Sequence, residues 1–325
     1  MTGGVFVFLE QTDGALEDAS LEVLGKGREI ADRLGVPLTG AILGEGVGEL
    51  AEYCARMGAQ VVLAADSPHL KNFTAEAYTD VVSRMVKPRD PDILLIGATH
   101  NGTALAGMLA VRLGTGLMAH VVDLEIETGT GTLLGSVPGF GGSIVAICKT
   151  KKGRPQMATV RPGVFVAPSP TEKAGTVEPF PVDLKPEDVR CRVVERVVQH
   201  GASVSKAQRV VVAGLGCKDD LSLPKKLAEA TGSTFGVSRP VADKGLAPKN
   251  LVVGSTGSSL NAKLAVVVGV SGAAHFTSGL RNAETVVAVN SDPNAELFKH
   301  ADYCVVGDAS KVIPRLISEL GAEGK

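Results

Sequence analysis

Tryptophan is absent from the 325-residue chain, and aromatic residues make up only 4% of it. Platforms that stack single-stranded nucleic acid need aromatic faces, so that class is not expected. The formal net charge is -2 and no Lys/Arg block appears, which leaves no electrostatic footprint for a nucleic-acid partner. The five cysteines (Cys54, Cys148, Cys191, Cys217 and Cys304) form no CxxC pair and are odd in number. Neither a zinc site nor a disulfide framework is expected, and a reducing compartment fits. No apolar run reaches bilayer length, so membrane insertion is not expected. Met1 leads straight into the apolar stretch Val5 to Leu9, with no basic n-region or cleavage site, so no leader peptide is expected. The six histidines are scattered, no HExxH occurs, and no GxSxG elbow follows a strand, which leaves hydrolysis without a catalytic constellation and metal without a ligand set.

What is present is apolar and glycine-rich: 44% hydrophobic residues, 21% charged, and 39 glycines, many at strand ends. The length predicts two domains, with a boundary near residue 200. The first segment alternates buried strands (Val5 to Leu9, Pro37 to Leu43, Val61 to Ala65, Ile93 to Gly97) with helices (Leu21 to Leu34, Val47 to Met57, Ala75 to Val86, Gly102 to Leu113). That alternation predicts an α/β fold with a mostly parallel, doubly wound sheet. Strands without helices follow at Val121 to Ile126, Thr132 to Val137, Ile144 to Cys148 and Gln156 to Val160. The proline-rich stretch 166–186 reads as an extended connector, Val189 to Val198 as a last strand, and His200 to Lys206 as a linker. A second α/β unit then begins, with strands at Arg209 to Ala213, Leu251 to Val253, Leu264 to Gly269, Thr285 to Asn290 and Tyr303 to Val306. Helices are expected over Leu223 to Thr231, Ser271 to Leu280, Asn294 to His300 and Ala309 to Leu320.

Ligands of open parallel sheets bind beyond the carboxyl ends of the strands. In the second unit those ends are small or polar: Gly214 and Gly216, Ser238 and Arg239, Gly254 to Ser258, Ser271 to His275, Asn290 to Asp292, and Gly307-Asp308. Several introduce helix N-termini, so a ligand bearing a diphosphate suits them. Ser271 is a candidate N-cap and Gly272 a point of close ligand approach, or else the pair is a cap with a packing glycine. Gly254-Ser255-Thr256-Gly257 lines a polar cofactor edge or is an ordinary loop. Gly214-Leu215-Gly216 is a lone GxG without the third glycine of a dinucleotide fingerprint. Asp308 caps the last helix or accepts ribose hydroxyls.

Taken together, several runs resemble the α subunits of electron-transfer flavoproteins, the EtfA/FixB family. They are Gly269-Val270-Ser271-Gly272-Ala273, Val286 to Pro293, Ala301-Asp302-Tyr303 and Val306-Gly307-Asp308. Upstream, Ser238-Arg239 and Gly254-x-Thr256-Gly257 keep the family's order. In the first half, so do Val5 to Gln11, Pro91 to Thr99 and Arg154 to Gly163. The resemblance implies two domains: residues 1–200, packing on a β subunit, and residues 201–325, a Rossmann-like domain holding FAD. The FAD contacts it implies are Ser238, Arg239, Val253, Gly254, Ser255, Thr256, Gly257, Ser271, Gly272, Ala273, Ala274, His275, Phe276, Asn290, Asp308 and Ala309. Arg239 and Thr256 would stand at the redox-active end, where a cation and a hydroxyl stabilise a reduced, anionic ring.

The family implies an electron carrier without substrate turnover of its own. Its partners would be the β subunit in a heterodimer and, transiently, acyl-CoA dehydrogenases and a quinone oxidoreductase, in a bacterial cytoplasm or a mitochondrial matrix. Three family motifs differ. Leu215 replaces the Arg of G-G-R-G. Val252, Ser255 and Ser258 replace the two Gln and the Lys of Q-V-G-Q-T-G-K. His275-Phe276 replaces Gln-His. These losses are expected to change flavin affinity and potential, and they keep open a redox-inactive nucleotide-binding paralogue as the alternative.

Overall fold

Val5–Leu9 (β1) is five apolar residues in a row, all buried. Successive side chains point to opposite faces: Val5, Val7 and Leu9 join one core, Phe6 and Phe8 another. A strand buried on both faces needs a helical layer on each. The computed structural model describes residues 3–139, 144–171, 174–184, 191, 193–195, 204–218 and 220–323. It divides into two units, one taking the described residues through Glu195 and the other those from Val204 onward.

In the first unit, β1 leads into a small hairpin, β2 (Gln11–Thr12) and β3 (Ala15–Leu16). Then come α1 (Asp18–Leu34), β4 (Leu38–Gly44), α2 (Gly48–Arg56), β5 (Val61–Asp66), α3 (Ala75–Arg89), β6 (Ile93–Gly97) and α4 (His100–Leu113). After them run β7 (Leu117–Val121), β8 (Asp123–Ile126), β9 (Leu133–Gly139), β10 (Ile144–Cys148), β11 (Gln156–Val160) and β12 (Thr176–Pro179). Seven strands form one sheet in the order β12-β5-β4-β1-β6-β11-β7, and every pair is parallel. Val23, Leu24 and Ile30 of α1 and Cys54 of α2 cover one face. Val81, Val82 and Met85 of α3 and Leu105 and Leu109 of α4 cover the other. Each large apolar side chain so buried contributes about 1.5–3 kcal/mol. Burial also pushes the Cys54 thiol up to about 12, so it behaves as a small hydrophobe.

Two expectations change in this unit. The single strand expected over Val121 to Ile126 is two. Leu117–Val121 pairs with β11, whereas Asp123–Ile126 joins the antiparallel sheet β10-β9-β8. His120, with φ 56, marks the bend. The connector expected over 166–186 contains β12, which adds a parallel strand to the edge at β5. Its partner lies far upstream, so no local pattern announces it. Most of the strand expected over Val189 to Val198 lies outside the described residues. So does the start of the linker expected from His200, whose described end, Val204–Lys206, is a 3-10 turn.

The second unit runs β13 (Arg209–Ala213), α5 (Ser222–Ala230), β14 (Thr234–Ser238), α6 (Arg239–Asp243), β15 (Val252–Val253), β16 (Leu264–Val268), α7 (Ala274–Thr277), β17 (Val286–Asn290), β18 (Tyr303–Val306) and α8 (Ala309–Glu323). Its six strands lie in the order β15-β14-β13-β16-β17-β18, all parallel. Leu227 of α5 and Ile313 of α8 pack with Val211, Val268 and Val289 on one face. Phe276, Leu280 and Leu297 pack with Val210, Val212 and Val267 on the other. The helix expected over Asn294 to His300 is a 3-10 turn, Glu296–His300. No helix among the described residues is long and apolar enough to cross a membrane.

Candidate functional site

Counted from its first strand, the second sheet is ordered 3-2-1-4-5-6, the dinucleotide-binding arrangement. Winding reverses between β13 and β16, so their carboxyl ends diverge into opposite helical layers and leave a crevice. Three glycines meet there. A Cβ on Gly214 would lie 2.2 Å from the Gly269 carbonyl oxygen, and one on Gly216 would lie 2.8 Å from the Gly269 Cα. Gly269 itself has φ +65. The N–H of Gly214 donates to the Val268 carbonyl (2.8 Å) and that of Gly216 to the Gly269 carbonyl (2.8 Å). The strand ends thus touch backbone to backbone, with the Val270 side chain packed beside them.

The crevice opens on a cavity of about 650 Å³. Leu215, Pro240, Val253, Val270 and Phe276 supply its apolar wall; Ser238, Arg239, Thr256, Ser271 and His275 supply polar edges. Of the expected contacts, Ser238, Arg239, Val253, Thr256, Ser271, Ala273, His275 and Phe276 come together here. Leu215 and Pro240 had not been singled out as contacts. The signal for Leu215 was its place between two glycines at a strand end. Ser238 is 5% exposed and precedes α6 without capping it through its side chain. Arg239 opens α6 and pairs with Asp243 at 3.3 Å.

Gly254, Ser255 and Gly257 stand behind the wall and hold its shape. Gly254 has φ +132, and a Cβ there would meet the His275 carbonyl oxygen at 2.7 Å. The Ser255 N–H donates to that same oxygen (2.7 Å), and the Ser255 hydroxyl lies 3.4 Å from His275 Nδ1. The loop is therefore a tight turn pinned to α7.

Ser271 does not cap the helix that follows, and Gly272 takes the packing role, one of the two readings open for it. The helix begins at Ala274, Ala273 holds the N-cap position, and no side chain caps it. The Ser271 carbonyl instead accepts from the Leu297 N–H (3.1 Å). Gly272, with φ +90, is demanded by the chain itself: a Cβ would stand 2.1 Å from the Leu297 nitrogen. Packing against that backbone shortens the helix expected from Ser271 to Leu280. Ala274 and Asn290 do not line the cavity. The Asn290 amide donates to the Val270 carbonyl (2.8 Å) and its oxygen accepts from the Asp292 N–H (3.0 Å), fixing the β16 and β17 ends together.

Asp308 and Ala309 line a separate cleft of about 150 Å³ with Gly216, Cys217, Lys218 and Ser310. The Asp308 carboxylate accepts from the Ser310 N–H (2.8 Å), which caps α8 and holds its carboxyl below the usual range. Burial pushes the Cys217 thiol up to about 11, which keeps it protonated and unreactive at neutral pH. Among the described residues, no group of three or more His, Cys, Asp or Glu could hold a metal.

A glycine-floored crevice beside an apolar slot with a cationic edge fits a molecule combining a flat ring system with a diphosphate. Comparison with known proteins agrees. Residues 5–185 match the electron transfer flavoprotein domain, and residues 203–281 match the electron transfer flavoprotein FAD-binding domain. Protein FixB of Clostridium saccharobutylicum is 39% identical, over 97% of this chain and 96% of its own length. The electron transfer flavoprotein subunit alpha of Clostridium acetobutylicum is 38% identical, over 98% of this chain and 97% of its own. The acryloyl-CoA reductase electron transfer subunit beta of Anaerotignum propionicum is 34% identical, over 99% and 96%. FAD is accordingly the cofactor of the second unit. The chain belongs to the electron transfer flavoprotein alpha subunit family, together with the FixB proteins.

Proposed function

We propose that the chain is the α subunit of a heterodimeric electron carrier, taking electrons from dehydrogenases of the acyl-CoA class and passing them to an acceptor such as a quinone reductase. In this reading it turns over no substrate of its own. Residues 1–200 dock the β subunit and residues 201–325 hold FAD. The observation that carries it is the glycine-built switch point between β13 and β16, opening on an apolar slot edged by Arg239. The acryloyl-CoA reductase relative, named as an electron transfer subunit, supports the partner class. The named relatives are bacterial, which supports a bacterial cytoplasmic carrier.

Bound FAD supplies electron exchange in single or paired steps. The protein's share is position and charge. Leu215, Pro240, Val270 and Phe276 exclude water from the ring. Arg239 and Thr256 face the redox-active end, where the guanidinium favours added negative charge. Gly254, Ser255 and Gly257 keep Thr256 in place, while Ser271 and His275 would give polar contacts. The Gly269 turn at the crevice would take the diphosphate, and Asp308 with Ala309 the adenosine side.

The test is to co-express the chain with a β-type partner, purify the complex, and identify the released nucleotide. A yellow complex with one FAD per chain is expected in the second unit. A colourless complex that refuses FAD on refolding would overturn the reading and favour a redox-inactive nucleotide-binding paralogue.

A further inference from the structure

We propose that the first unit carries an oxyanion site, for the phosphate or carboxylate group of a small molecule, in a cavity where the Arg28 guanidinium has a buried donor to spare. The cavity lies at the amino ends of β5 and β12, and the inference does not depend on how the second unit holds FAD.

The cavity measures about 490 Å³, within the range of small-molecule sites. Helix α1 contributes Arg28, the turn between α2 and β5 contributes Gly58 and Gln60, and the connection into β12 contributes Thr171, Gly175 and Thr176. Two glycines let these pieces meet. Gly58 has φ +107, and a Cβ there would stand 3.6 Å from Thr171 Cγ2 and 3.7 Å from Arg28 Cδ. A Cβ on Gly175 would stand 2.0 Å from the Ala59 carbonyl oxygen. The connection therefore lies directly on the backbone of the α2–β5 turn.

The acceptors around the cavity are already bonded. The Arg56 carbonyl accepts from the Thr171 N–H (2.8 Å) and hydroxyl (3.0 Å), and the Ala55 carbonyl from the Gly175 N–H (3.0 Å). The Gln60 carbonyl accepts from the Thr176 N–H (2.9 Å), and the Gln60 side-chain oxygen from the Leu38 N–H (2.9 Å). These bonds offset the negative end of α2, which would otherwise repel an anion. What is left over is a donor. Arg28 Nε is buried and has no hydrogen-bond partner among the described residues. A terminal nitrogen of the same guanidinium pairs with Asp32, but that carboxylate is 66% exposed and therefore well screened. An unpaired buried N–H costs free energy that a single acceptor recovers, and such a group in a folded protein marks a missing water or ion. One water fills about 30 Å³, so this cavity has room for much more. The planar edge of a guanidinium, Nε with a terminal nitrogen, matches two oxygens of a phosphate or carboxylate.

The experiment measures hydrogen exchange by mass spectrometry on the FAD-loaded complex, titrated with inorganic phosphate, acetate or chloride at equal ionic strength. In the wild type, phosphate or acetate is expected to slow exchange over residues 57–60 and 174–176 at least fivefold and saturably, relative to chloride. Protection by phosphate alone identifies a phosphate group as the occupant, and protection by acetate alone a carboxylate. Arg28→Gln is expected to abolish the protection with FAD content unchanged. Arg28→Lys keeps the charge but has no Nε–H, and is expected to weaken binding at least tenfold; it carries the test if the glutamine variant does not fold. Wild-type exchange that is the same in all three salts would overturn the proposal. So would a folded Arg28→Lys complex that keeps the full protection.

Discussion

At Gly214 a methyl group would stand 2.2 Å from a backbone oxygen, and at Gly107 it would meet nothing within 4 Å. The same substitution should therefore have opposite signs at the two sites. Gly107→Ala, on the exposed side of α4, is expected to stabilise the protein by about 0.5–1 kcal/mol through helix propensity. Gly214→Ala is expected to destabilise it by about 1–3 kcal/mol, because the β13 and β16 ends must part, and to lower the FAD recovered per chain. Thermal unfolding and released-flavin absorbance check both. The lone GxG at this site was weak evidence in the sequence because its third glycine is not local. Gly269 supplies it from the neighbouring strand, across a separation that no linear motif spans. Glu10 carries a second expectation at this scale. Burial raises its carboxyl above the ordinary range, against the lowering effect of its bonds from Thr99 and Asn101. An acid with a raised folded pKa contributes its full stability below its unfolded value, near 4.3, and loses it as pH rises through the folded one. Glu10→Gln is thus expected to melt above wild type at pH 7, with the difference closing as pH falls toward 4. A gap that stays constant with pH would show that the charge is not what costs stability.

Elements were legible where burial is local and periodic. β1, β6, β11 and β13 lie where the apolar runs put them, because a strand buried on both faces announces itself by composition, and the exposed β10 and β18 follow their own apolar, β-branched runs. The failures share another cause. β12 exists only through its pairing with β5, the start of α7 is delayed by the Leu297 backbone against Gly272, and β7 and β8 part where one chain must serve two sheets. Each is set by a neighbour distant in sequence. The site was legible to the same extent: most of the cavity's lining was found from strand ends, whereas Leu215, Pro240, Gly269 and Val270 in the wall and the supporting role of Asn290 were not. Asp308 shows how an element end and a ligand contact separate by experiment. Its cap on α8 needs only a side-chain oxygen, so Asp308→Asn should keep the helix and the melting temperature of the FAD-free complex, whereas Asp308→Ala should lower it. The hydrogen bonds from Ser310 depress the Asp308 pKa, so that stabilisation is present above the ordinary carboxylate range and fades as pH drops through the lower folded value. If the carboxylate also receives the adenosine side, FAD affinity should fall in both variants. An unchanged affinity in Asp308→Asn would leave capping as its whole role.

On the scale of the whole molecule, the two units bury separate cores. Val5 to Leu9 and the helices α1 to α4 share no core cluster with the strands β13 to β18. A ligand that binds one folded unit stabilises that unit by mass action, by about 2.7 kcal/mol at a free concentration a hundred times its Kd. FAD should accordingly slow hydrogen exchange over residues 213–218, 252–258 and 269–277, where the crevice and its wall are built. It should leave β1, β4 and β6 exchanging at the rates of the FAD-free complex, because their protection comes from their own two cores. Exchange measured by mass spectrometry with and without FAD separates the alternatives. Protection confined to the second unit would place the redox group on one sheet. Protection in the first unit as well would mean that it senses the loading of the second.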